Sequence, residues 1–209
     1  QHVWLMEQKM IDPLLRLKDK ILDNAVMFNL VRTFTDSRGH NLNMIKKALN
    51  LRKNDRILDV GCGLGNFSKV TDGKYIGIDM NPSFIKFANK HYSTKNKKFM
   101  AADATKLKFK SKSFDKSMFI SMLHHFPSND ADKALKEIQR VTKDHLVVLD
   151  LLPSDRLLVK FMYAMDRGSD IRPIEAQKKL IEKYFKIVSY KRFDASMSVH
   201  SLMVCRPLK

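Results

Sequence analysis

The chain has little cysteine, two residues in 209, and no apolar run near the ~20 residues that cross a bilayer. Two cysteines, Cys62 and Cys205, make neither a disulfide framework nor a metal cluster. No metal is therefore expected, and the natural setting is a reducing, cytoplasmic one. There is no internal repeat and no low-complexity tract, which removes solenoid and disordered-tail architectures. The first residue is Gln rather than Met, so the start reads as trimmed, with a removed leader left open. Glycine is also scarce at seven residues, yet three of the seven fall between positions 61 and 65.

What is abundant is positive charge, a formal +17. It is spread along the chain, with only residues 111–153 neutral, and most of it is Lys. Lys-rich stretches such as Lys95–Lys98 and Lys106–Lys112 read as solvated surface, with attraction to nucleic acid or anionic lipid as the alternative. The length fits one domain with an adequate core.

The clustered glycines carry the most information. Ile57-Leu58-Asp59-Val60 is a short apolar strand ending near an acidic side chain, followed by Gly61-x-Gly63-x-Gly65. The pattern reads strand, glycine loop, helix start, with the glycines allowing a sharp turn and close approach of a ligand to the backbone. The spacing is not the G-x-G-x-x-G of dinucleotide sites. A second strand, Lys74 to Met80, carries Asp79 at its end, 20 residues after Asp59. An acidic group there suits two ribose hydroxyls, because each carboxylate oxygen accepts one hydroxyl hydrogen. Asn81-Pro82-Ser83 follows and starts a helix, so Asp79 also opens a turn. A third strand from Lys98 ends in Asp103-Ala104, where Asp103 either accepts from an exocyclic amine or caps a turn.

These elements, with Phe114 to Phe126 after them, resemble class I S-adenosylmethionine-dependent methyltransferases of the small-molecule type over about Leu51 to Leu152. The resemblance implies S-adenosylmethionine as methyl donor and S-adenosylhomocysteine as product. It implies cofactor contacts from Asp59, Gly61, Cys62, Gly63, Gly65, Asp79, Met80, Asp103, Ala104 and Ser121, with Asp103 at the adenine. It also implies a Rossmann-like doubly wound α/β sheet of seven strands, order 3-2-1-4-5-7-6, with strand 7 antiparallel.

The rest of the chain supports that class by pattern. Apolar residues from Ile11 to Val31 recur at helical spacing, and Asn41 to Leu49 forms another helix, so residues 1–50 read as a helical cap on a 51–209 cofactor-binding domain. Val3-Trp4-Leu5-Met6 offers a peripheral membrane contact as an alternative role. Helices are expected over Pro82 to His91, Asp130 to Val141 and Glu175 to Tyr184. The strand His145 to Leu152 is apolar throughout, as one buried on both faces should be. Phe185 to Phe193 and Ser198 to Arg206 should pair antiparallel. Residues 153–175 break the pattern and read as a lid, carrying Tyr163, Arg167 and Arg172. Either arginine suits a carboxylate or phosphate on the acceptor, or an ion pair with Asp166 or Asp170 that holds the lid.

Methyl transfer is an in-line displacement, so the protein mainly aligns the nucleophile and excludes water. A hydroxyl acceptor benefits from a base, and His124 or His125 is the candidate, with packing or substrate lining as the alternatives. The favoured function is methyl transfer to an O, N or C nucleophile of a small-molecule or lipid-like acceptor. An RNA methyltransferase and a non-catalytic S-adenosylmethionine-binding partner protein are the other readings. The oligomeric state is not legible.

Overall fold

The computed structural model describes residues 40–165, 170–195 and 198–209. The expected helix and membrane contact within residues 1–39, and Arg167, lie outside these described residues. The described chain runs α1 (His40–Leu49), β1 (Ile57–Val60), β2 (Tyr75–Asp79), α2 (Pro82–Tyr92), β3 (Lys97–Ala101), β4 (Phe114–Ile120), α3 (Ser128–Val141), β5 (Thr142–Leu151), α4 (Leu157–Met165), α5 (Ile174–Ile181), β6 (Phe185–Ala195) and β7 (Ser198–Pro207). The seven strands form one sheet in the order β3-β2-β1-β4-β5-β7-β6. β1 to β5 pair in parallel, and β7 runs antiparallel between β5 and β6.

Two apolar layers cover the sheet. On one face Ala131, Ala134, Leu135, Ile138 and Val141 of α3 pack on Leu58, Val60, Phe119 and Val148. On the other, Ile45 and Leu49 of α1 and Ile85 and Ala88 of α2 pack on Ile57, Tyr75, Phe99 and Met118. The central strands thus lose both faces to helices, which is why β1 and the end of β5 are buried without alternation. Both cysteines are free and buried, and burial pushes the Cys205 thiol up to about 12. Among the described residues no helix is long and apolar enough to cross a membrane.

The segment after the glycine loop differs from the expected helix start. Asn66–Val70 forms only a short 3-10 turn, entered from Gly65 in the left-handed region with no side-chain cap. Few residues remain before β2, and Thr71 already returns to an extended conformation. A short connection of this kind cannot develop the hydrogen-bonded turns of a stable α-helix.

At the amino-terminal edge one buried charge ties α1 to the sheet. Lys116 of β4 is 2% exposed and donates to the carbonyls of Leu49 (2.7 Å) and Asn50 (2.6 Å). Asn50 has φ 45°, the left-handed residue that ends the helix. The ammonium thus meets the negative end of the α1 dipole and sits 3.6 Å from Asp55. Lys116→Ala leaves these acceptors without their cation and should cost about 2–4 kcal/mol, read from the denaturant midpoint. An unchanged midpoint would show that α1 holds without this tether.

Candidate functional site at the carboxyl edge of the sheet

Parallel pairing brings the carboxyl ends of β1 to β5 to one edge, where the sequence placed its site residues. Between β1 and the 3-10 turn the chain folds back over β2. The Gly61 and Cys62 amides both donate to the Ile78 carbonyl (2.8 Å each). Gly61 has φ +75°, and Gly65 φ +82°. A Cβ on Gly65 would lie 2.8 Å from the Phe99 ring and 3.1 Å from Ala88 Cβ, so its loop seats directly on α2 and β3. A Cβ on Gly61 would fall 2.3 Å from Met122 Cγ. The Met122 side chain therefore lies across the floor of the loop, a contact that no local pattern announces.

Asp79 ends β2 beneath this loop. One carboxylate oxygen accepts the Gly63 amide and the other the Asn81 amide, both at 2.9 Å. Asn81 in turn caps α2 through Ser83 N (2.9 Å), with Pro82 in its first turn. Asp79 is thus both the turn residue and the acceptor at the loop. Each oxygen is oriented by an amide, and a carboxylate held in this way suits two vicinal hydroxyls.

The other expected cofactor residues are placed differently from one another. Asp59 is 1% exposed and accepts the Tyr75 hydroxyl (2.5 Å), joining β1 to β2 inside the helix-covered layer. Burial, and then the Asp59 charge, pushes the Tyr75 hydroxyl well above the ordinary tyrosine range, so the phenol keeps its proton. The Cys62 thiol is buried against Gly77 and held protonated, chiefly by burial and then by Asp59 and Asp79. Both side chains support the loop from below, and what Cys62 presents to the edge is backbone. Ser121 follows β4 with φ 52°, unusual for a residue with a Cβ, while its amide donates to Leu149 O (2.7 Å). Met80 is 69% exposed and Ala104 is buried. Asp103 lies just past β3 and is exposed, its Oδ1 accepting both the amide (2.8 Å) and hydroxyl (2.7 Å) of Thr105. These bonds lower its pKa, so it is a carboxylate at neutral pH. It caps a turn, and it does so at the same edge.

The histidines part company. His125 is exposed, whereas His124 is 2% exposed, with its ring 4.2 Å from that of His125. Its Nδ1 is in close contact with Oδ1 of Asp150, a fully buried carboxylate near the end of β5. Oδ2 accepts the His124 amide (3.1 Å), and Oδ1 also accepts the Leu151 amide (2.6 Å). The sequence signal for Asp150 was there: an acidic residue near the end of an apolar strand, like Asp79.

Arg172 is drawn into the same knot rather than toward a ligand. It is 8% exposed, donating to Leu123 O (2.9 Å), Asp170 O (3.2 Å) and Phe126 O (2.7 Å). Its guanidinium is thus engaged by backbone carbonyls, with a 3.9 Å approach to Asp170, one of the two ion-pair partners the sequence offered. Gln177, unmarked by any sequence pattern, donates to Leu151 O (2.7 Å) and Arg172 O (3.0 Å), and accepts from Ser201 (2.7 Å). Tyr163 is likewise tied to the sheet, donating to Leu152 O (2.9 Å) and accepting the Val199 amide (3.0 Å). At the opposite edge, Arg56, Lys74, Lys95, Asn96 and Lys98 line a cleft of about 340 Å³ over Tyr75 and Phe114.

Residues 58–148 match the family described as a methyltransferase domain. The phthiotriol/phenolphthiotriol dimycocerosates methyltransferase of Mycobacterium leprae is 34% identical over 112 residues, 49% of this chain and 40% of that protein. The uncharacterized methyltransferase YcgJ of Bacillus subtilis is 30% identical over 157 residues, 70% of this chain and 60% of that protein. The chain thus spans about half the length of these two relatives. Magnesium protoporphyrin IX methyltransferase of Synechocystis, solved with bound S-adenosylhomocysteine, superposes with a TM-score of 0.69 at 16% identity, covering 93% of this chain and 99% of that one.

A ligand held through Asp79 makes a measurable demand. S-adenosylhomocysteine at about a hundredfold excess over its Kd should stabilise the protein by about 2.7 kcal/mol. Asp79→Ala should abolish most of the resulting rise in Tm, and an undiminished rise would remove Asp79 from the site.

Proposed function

Because residues 58–148 carry a methyltransferase domain of the class I S-adenosylmethionine-dependent family, we propose that this chain methylates a hydroxyl of a small-molecule or lipid-like acceptor at the carboxyl edge of its sheet. The observation that carries the choice of a hydroxyl is the buried His124–Asp150 pair. Amines and carbanion-like acceptors need no strong base, whereas an alcohol must lose a proton as it attacks.

The loop fits the cofactor on chemical grounds. Asp79 offers two preoriented acceptors, and the left-handed backbone at Gly61 and Gly65 brings main chain to a ligand without side chains in between. S-adenosylmethionine supplies a methyl group on a sulfonium with a neutral thioether as leaving group. In this reading Asp79 binds the ribose diol, and the exposed Asp103 carboxylate faces the adenine amine. Ser121 and Met122 line the methionine end of the loop.

His124 then acts as base. With Nδ1–H donated to Asp150, Nε2 is the ring nitrogen that accepts a proton. The acceptor hydroxyl gives its proton to Nε2, and the resulting imidazolium is stabilised by the adjacent carboxylate. Arg172, Gln177 and Ser201 hold the loop and the strand end that position the pair, and burial keeps bulk water from competing. Asp150→Asn should lower kcat for a hydroxyl acceptor by roughly 10²–10⁴-fold while leaving the S-adenosylhomocysteine-induced rise in Tm intact. His125→Gln should leave kcat within about threefold. Equal losses in both variants would assign the pair a purely structural role.

A second reading, RNA as acceptor, is favoured by the cleft at the amino edge. Its four cations Arg56, Lys74, Lys95 and Lys98 face no carboxylate among the residues lining it. RNA held there should dissociate steeply with salt, the slope falling by about one for each phosphate-binding cation removed. Absence of RNA binding at low salt would eliminate this reading.

A further inference from the structure

Most helices in the structure have one apolar face and bury it. α4, with sequence Leu157-Leu-Val-Lys-Phe-Met-Tyr-Ala-Met165, is different. Val159 is 1% exposed, and Tyr163 is anchored by its hydroxyl to Leu152 and Val199. At 3.6 residues per turn these two lie on one side of the helix. Leu157, Leu158 and Phe161 fall within about 100° of arc on the other side. They are 83%, 56% and 63% exposed. The helix is therefore apolar on two opposed faces, of which the described residues cover one. Single exposed hydrophobic residues are ordinary, but three large ones on adjoining helical positions form a patch of the kind that marks an interaction surface.

Charge around the patch identifies what covers it. Arg156 and Lys160 flank it on its own segment, and β6, beside the strand whose Val199 anchors Tyr163, carries exposed Lys191 and Arg192 on opposite faces of the sheet, so that one of them shares the side of α4. Against these three cations stand Asp155 and, on the face of Arg192, Asp194. The pairing of Lys160 with Asp155 is made at 3.6 Å with both side chains in solvent, so it neutralises little. An apolar face rimmed by an excess of cations is complementary to an anionic bilayer: side chains enter the acyl boundary and cations meet the headgroups. A second copy of the chain is a poorer fit, because an isologous contact would bring cations against cations.

We propose that α4 docks this protein on an anionic membrane surface and turns the carboxyl edge toward an acceptor held in the bilayer. The helix follows directly from β5, whose end carries Asp150, so its outer face and the His124–Asp150 pair belong to the same edge. The docking stands on the geometry of α4 itself, while the lipid-borne acceptor rests on the methyltransferase reading given above.

The test is flotation of the full chain with vesicles of phosphatidylcholine alone and with about 30% phosphatidylglycerol added. The protein should float with the anionic vesicles, lose binding as salt rises, and bind neutral vesicles weakly. Leu157→Ser with Phe161→Ser should reduce anionic binding at least about tenfold. Both residues face solvent, so the doubly substituted protein should keep its S-adenosylhomocysteine-induced rise in Tm, which reports the cofactor site separately. Absence of flotation overturns the proposal, as does equal flotation of the two proteins. A dimer in solution that the two substitutions dissolve would assign the patch to a second copy and overturn it as well.

Discussion

Parallel pairing of β1 through β5 is the constraint on which everything functional here depends. Parallel strands need crossovers, so the chain returns across a face of the sheet before each new strand and every strand ends at the same edge. Asp79, Asp103 and Asp150 occupy strand ends or the residues beside them, and pairing alone gathers them. The chain moves from β1 outward to β2 and later back to β4, a reversal of strand order at which the loops of a parallel sheet diverge. The glycine loop follows β1 at that reversal. Its backbone is held by Ile78 and Asp79 of β2 and its lower side by Phe99 of β3 and Ala88 of α2, so its shape is set before any ligand arrives.

Farther along the edge, the antiparallel insertion of β7 between β5 and β6 performs a second task. Leu151 pairs with His200, so β7 begins where β5 ends, and its Ser201 and Val199 join the polar knot around Asp150. A buried carboxylate is costly unless fully hydrogen-bonded. Here the His124 ring and amide and the Leu151 amide satisfy it, and Arg172 and Gln177 secure the carbonyls on either side. The knot ties the His124 loop to the end of β5 and takes up the Arg172 guanidinium. α4 is pinned by Tyr163 to the same strand ends, which leaves its outer apolar face at the rim of the carboxyl edge.

Much of this was legible in the sequence where the information is local. Gly61, Gly63 and Gly65 followed by Asp79 announce a turn and an acceptor because a strand, a tight loop and the next strand lie within two dozen residues. The helices at Pro82–Tyr92 and Ser128–Val141 were expected over Pro82 to His91 and Asp130 to Val141, the first from its Asn-Pro-Ser start and the second from the acidic residues near its beginning. The order of the sheet came from family resemblance, since nothing in β6 or β7 alone says which of them inserts beside β5. What escaped was non-local. The partner of His124 lies 26 positions downstream, and the carbonyls that absorb Arg172 lie 46 and 49 positions upstream. A solvent-facing arginine and an arginine bonded to backbone look the same in a sequence, because the carbonyls that decide between them carry no side-chain signature. The face-down placement of Asp59 and Cys62 was hidden for a related reason: Tyr75 and Gly77, which receive them, differ from any other strand residues only once the register is known.

The central claim is that this edge transfers the methyl group of S-adenosylmethionine to an organic acceptor. Incubating the full chain with methyl-labelled S-adenosylmethionine and a cell lysate, then partitioning between solvent and water, tests it most directly. The account predicts label in an organic-extractable product, formed in step with S-adenosylhomocysteine and abolished when that product is supplied in excess. Binding of S-adenosylmethionine with no label transferred to any fraction would contradict it.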